Sequence, residues 1–227
     1  MRVIGSSCAL GSVHEQRRIY RVRLAVWSTT TRRPEMRREQ DIVAFTKMDD
    51  ASAEDLAIVM AEAEVHLQNK VADRVLELLA SMKGPTLGYQ IDRYDHSMQT
   101  ATRAMRDGAR TDMIVAALLH DIGDALAPAN HSEMAATIVA PYLDEEATWV
   151  VRHHGVFQGY HYWDRIGHDR NARERYRDSP YFEAAAHFCG AWDQQAFDPD
   201  YDTLPLETFE PLVREVFARS ASGFGAG

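Results

Sequence analysis

From position 52 onward, apolar side chains return at helical spacing. Leu56, Val59, Met60 and Ala63 fall at i, i+3, i+4 and i+7, and Ser52 with Asp55 forms a capping pair. Val71, Val75, Leu78, Leu79 and Met82 continue the period until Gly84-Pro85 ends it, which predicts two scaffold helices. A helix over 92–107 is stopped by Gly108. The next, over 111–122, has the centre MIVAALL, apolar on nearly every side, as expected of a helix in the middle of a bundle. Asn130 and Glu133 open a helix over 130–139, interrupted by Pro141. Further helices are expected over 144–154, over 180–196 behind the cap Ser179-Pro180, and over 206–218. Residues 161–178 read as a polar, Arg-rich connection. No alternating strand pairs, hairpin signals or internal repeats interrupt this pattern. The expected fold class is all-α.

Composition sharpens the picture where it is uneven. The chain has 227 residues, a length that favours one domain, and a formal charge of −9. Residues 1–40 hold nine Arg, no Lys and three Glu, a local charge of +6 that leaves −15 for 41–227. An acidic body without a basic, aromatic-interleaved stripe argues against nucleic-acid partners. No apolar run approaches the length of a membrane span. Two cysteines, Cys8 and Cys189, cannot staple a domain of this size, which points to a reducing, cytoplasmic setting. Segment 1–40 lacks a sustained period. It resembles an organelle transit peptide in composition, but a translation start near Met36 is the simpler reading. The expected organisation is an extension over 1–40, a helical domain over 41–219 and a flexible tail over 220–227. The sequence sets no oligomeric state.

The chemistry concentrates in His and Asp. His120-Asp121 ends the apolar central helix, so both side chains border the core, where desolvation demands a partner; a metal ion suits imidazole and carboxylate together. A second copy, His168-Asp169, falls in the charged connection and reads as solvated. Around the first copy stand His96 one helix upstream, His131 at the first turn of the next helix, the pair His153-His154, and Asp193 in the helix after Pro180. Helical bundles build metal sites from such contributions of successive helices.

The order His, His-Asp, His, His, Asp resembles the HD-domain superfamily of metal-dependent enzymes, and LLHDIGD is close to its signature. The similarity runs from about residue 85 to 200, and over the rest of 41–219 in a set described as predicted HD phosphohydrolases. The resemblance implies a helical bundle with a central metal site. It puts metal ligands on His96, His120, Asp121, His131, His154 and Asp193, although spacing alone assigns either His153 or His154. Six donors imply two ions bridged by Asp121, with iron better suited than manganese. The ligand pattern is nearest to the mixed-valence di-iron oxygenases of the superfamily, which include myo-inositol oxygenase and the phosphonate-cleaving HD oxygenases. Residues 152–160, RHHGVFQGY, look more like that branch than like the phosphohydrolases, which are the alternative. In those oxygenases a Lys or His follows the dipeptide Asp by three positions; here Asp124 stands there, able to hold a hydroxyl or ammonium or to act as an acid/base. The expected ligand is a small polar molecule such as a phosphonate or polyol. No Lys occurs after Lys83, so an anionic substrate group would be held by Arg, with Arg93, Arg152 and the cluster Arg165, Arg170, Arg173, Arg175 and Arg177 available. Tyr160, Tyr162 and Trp163 could wall a pocket. A vestigial regulatory module would show substituted ligands, and none in this series is substituted.

Overall fold

The computed structural model describes residues 42–219, and within them every regular element is helical. The expectations for 1–40 and 220–227 lie outside the described residues. Helix α1, Ala53–Ala80, is one continuous helix where two were expected. No Gly or Pro interrupts it, and its start is fixed by a reciprocal cap in which the Ser52 hydroxyl accepts from Asp55 N–H (3.1 Å) and Asp55 accepts from Ser52 N–H (3.0 Å). Only its second half reaches the core, through Val75, Leu79 and Met82, while Met60 and Val65 stay exposed.

Helix α2, Arg93–Arg106, is capped by Asp92, and its chain exit uses Gly108 at φ +76°, a left-handed conformation that glycine adopts without strain. Helix α3, Thr111–Leu119, is the centre of the bundle. Val115 through Leu119 are buried on every side, and α3 packs against α2, α5 and α7. Helix α4, His131–Val139, lies against α5, Glu145–Gly159, which runs five residues beyond its expected end at 154. The glycine at 155 does not stop α5 because Phe157 on the following turn is fully buried, so packing outweighs the local cost of glycine.

The segment expected as one helix over 180–196 changes pitch twice. It is α-helical over α6, Phe182–His187, becomes a π turn over Phe188–Trp192, and tightens to a 3-10 turn over Asp193–Gln195. The Gly190 carbonyl accepts from the side chains of Gln194 (3.0 Å) and Gln195 (2.9 Å) at this change of pitch. Helix α7, Leu206–Phe217, closes the core with Phe209, Val213, Val216 and Phe217. No helix among the described residues is long and apolar enough to cross a membrane.

Candidate metal centre

The apolar α3 ends at His120, and the chain then tightens into the 3-10 turn Ile122–Ala125. This exit leaves His120 and Asp121 buried at the inner end of the bundle. Gly123 permits the next step: a Cβ there would lie 2.2 Å from the His131 carbonyl oxygen and 2.8 Å from its Cα, so only glycine lets the start of α4 come this close to Asp121. The π turn lies just ahead of Asp193 and sets its direction toward the same point.

Four donor atoms converge there. His96 Nε2 lies 3.2 Å from His120 Nε2 and 3.2 Å from Asp193 Oδ1, and each imidazole is 3.6 Å from Asp121 Oδ2. His120 Nε2 is 3.7 Å from Asp193 Oδ1. The other Asp121 oxygen, Oδ1, faces a second pair, His154 Nε2 at 3.1 Å and His131 Nε2 at 3.5 Å. Ligand atoms at about 2.1 Å from one ion lie about 3.0–3.4 Å apart at right or tetrahedral angles, close to these separations. Two groups of side chains, His96–His120–Asp121 and Asp121–His131–His154, thus have the spacing to hold a metal ion, and Asp121 belongs to both.

The tautomers reinforce the case. Nδ1 of His96, His120, His131 and His154 donates to the carbonyls of Ala196 (2.9 Å), Ala117 (2.9 Å), Pro128 (3.2 Å) and Val151 (2.7 Å). Each neutral ring therefore turns its Nε2 lone pair inward. Lone pairs and carboxylate oxygens crowded at these distances repel one another unless something positive lies among them. In a cation-free set, protons take that place. Burial opposes charge on His96 and His120, but Asp193 and Asp121 outweigh it and raise both rings above the ordinary imidazole value. Asp121 and Asp193 are likewise disfavoured as anions by burial, yet the surrounding imidazoles hold both well below the usual carboxylate range. The donor set fits a divalent or trivalent cation.

His153, the alternative to His154, turns away: its Nδ1 donates to Trp149 O (2.8 Å) and its ring stacks on Trp149 at 4.0 Å. His168 and Asp169 are exposed, and Asp169 caps the turn that follows it by accepting from Asn171 N–H.

Residues 93–188 match the family model of the HD domain. The chain contains an HD domain. The match holds five of the six converging side chains, and Asp193 follows it by five residues. No protein among those with curated descriptions matches the chain. The HD domain's His/Asp cluster is the mark of a metal-dependent enzyme.

Around the cluster opens a cavity of about 410 Å³. Arg93 enters it with Nη1 3.6 Å from Asp121 Oδ2, while its Nε is 3.1 Å from Asp124 Oδ2. Asp124 lines a neighbouring cavity instead, and its other oxygen is 3.4 Å from His131 Nδ1. Burial and the Asp121 carboxylate raise the Asp124 pKa, against the pull of His131 and Arg93. Arg152 lies elsewhere, its Nε 3.1 Å from Glu133 Oε2, and it lines neither cavity. Tyr162 walls the opening, as expected, whereas Tyr160 is covered by Arg173, whose guanidinium lies 3.5 Å from its ring centre.

Sequence reasoning passed over three lining residues. Gln158 donates Nε2–H to Asp193 Oδ1 (3.1 Å), and Phe197 stacks on His96 with ring centres 4.5 Å apart. His161 is the third. The signal for Gln158 and His161 was present in their spacing from His154, i+4 and i+7, which keeps all three on one helical face.

Proposed function

We propose that the HD domain holds two metal ions bridged by Asp121 and acts as a di-iron oxygenase on a small polar substrate. The observation that carries this reading is the division of the Asp121 carboxylate, one oxygen turned to His96, His120 and Asp193 and the other to His131 and His154. A mononuclear hydrolytic site needs only the first group. Three imidazole-rich faces and two carboxylates suit iron, with manganese less well matched. Bound at this position, a redox-active pair supplies activation of dioxygen beside a coordinated substrate.

The chain's own residues then have defined tasks. The carbonyl-anchored rings hold four Nε2 atoms in the ligating tautomer. Gln158 orients Asp193. Arg93 reaches the cavity from the side of Asp121 and is the group placed to meet a substrate oxygen, while Asp124 positions Arg93 and His131 from behind. That placement makes Asp124 a positioning residue.

Hydrolysis of a phosphoester is the second reading, favoured by the carboxylate at Asp124 where the oxygenases resembled carry Lys or His. Metal analysis of aerobically purified protein, with an electron paramagnetic resonance spectrum after partial reduction, separates the two. A coupled mixed-valence signal from about two irons, and oxygen uptake with turnover, is expected. Full turnover under strict anaerobiosis with release of inorganic phosphate would overturn the oxygenase.

A further inference from the structure

The outer half of the cavity is built differently from the inner half. Beyond Gly159 the chain keeps turning through i to i+3 bonds, from His161 N–H to Gln158 O (3.0 Å) and from Arg165 N–H to Tyr162 O (3.0 Å). His154, Gln158, His161 and Arg165 therefore form a stripe that leads from the cluster to the mouth, and all four line the cavity. The His161 Nε2 atom is shielded from solvent and has no hydrogen-bond partner.

Arg165 differs from its neighbours in the Arg-rich connection. Arg170 pairs with Asp164 and lies over Tyr160; Arg173 is set on Tyr160 beside Glu174. Arg175 lies over Tyr176, and Arg177 binds Glu174 and Glu183. Arg165 has neither a carboxylate nor a ring against it among the described residues, and it faces the cavity.

We infer that His161 and Arg165 bind an oxyanion at the mouth, so that the substrate carries two functional groups: one reacting at the cluster and a distal phosphate-type or carboxylate group held by these two side chains. A forked guanidinium beside an unpartnered ring N–H is the donor arrangement that oxyanions occupy. Burial, followed by the charges of Arg173 and Arg170, draws the His161 pKa below its ordinary value against the opposing pull of Asp193, so the ring serves as a neutral hydrogen-bond donor. No carboxylate pairs with Arg165 to repel the guest. The inference rests on the dinuclear reading for one feature, the sign of the inner cavity, where the charge of two ions exceeds that of Asp121 and Asp193.

The test is calorimetric titration of the metal-loaded full chain with inorganic phosphate and, separately, acetate, with metal content measured on the same samples. At least one anion is expected to bind, and its identity tells the phosphate-type group from the carboxylate. Arg165→Gln should weaken that binding about tenfold, the scale of losing a charge-assisted pair, and Arg165→Lys should retain part of it. His161→Phe should weaken it as well, with His161→Asn in between. Arg165 is exposed, so its variants are expected to fold, and their unchanged metal content checks this. Absence of binding by either anion, or binding equal in wild type and Arg165→Gln, overturns the inference. Binding that depends on Arg165 in a chain holding fewer than two ions would sustain the subsite and overturn the dinuclear reading instead.

Discussion

A single carboxylate decides how many ions the HD domain can hold. If Asp121 bridges two positions, His131→Ala and His154→Ala should each lower bound metal from about two ions toward one, because the second position has no other imidazole. Unchanged stoichiometry by elemental analysis in both variants would count against it. The same donor set sets a pH dependence. His96 and His120 in the cation-free chain keep their protons to higher pH than a free imidazole, and ligation needs them neutral. Metal uptake should therefore release protons at pH 7 and weaken as pH falls. Calorimetry in two buffers of different ionisation enthalpy reads that release directly; equal heats in both would refute it. At this scale the sequence was informative in part. His120-Asp121 stood out because an apolar helix ends on two polar groups that need a partner. The choice between His153 and His154 was not legible, since neighbours on a helix point about 100° apart and only the packing of α5 sets which one faces inward.

Among the elements, junctions matter more than helices. The α3–α4 junction depends on Gly123, whose missing side chain lets the His131 backbone approach. Gly123→Ala must push α4 away from Asp121. We expect a loss of about 1–3 kcal/mol in unfolding free energy, and bound metal reduced toward one ion, as for His131→Ala. Retention of two ions with wild-type stability would show that α4 yields elsewhere. Helix positions were readable from their period, yet the end of α5 and the split of the segment after Pro180 were not. Periodicity assumes one pitch, and a π turn followed by a 3-10 turn departs from it in opposite directions. The burial of Arg173 between Tyr160 and Phe182 was equally hidden, because a polar, Arg-rich run reads as solvated until the aromatic faces that receive it are known.

For the molecule as a whole, every donor and every cavity-lining residue falls between Ser81 and Phe197. The all-α class followed from α3 alone, since a helix buried on all sides requires others around it. A chain beginning at Met36 should thus match the full chain in melting temperature and metal content; a marked fall in either would give the first forty residues a structural role.

The π turn before Asp193 holds one residue more than a regular helix of the same height would. Its removal is accordingly a frame correction for the helix and a frameshift for the ligand. Deleting Gly190, whose position offers open space and carries no side chain, should let α6 continue at normal pitch with the fold intact while Asp193 swings about 100° out of register. The resulting protein would melt cooperatively and keep its helical circular dichroism, yet bind its first ion weakly. Tight retention of that ion by the deletion variant would show that the turn does not set the aim of Asp193. A binding site can in this way be encoded in the count of residues along a helix as firmly as in their identity.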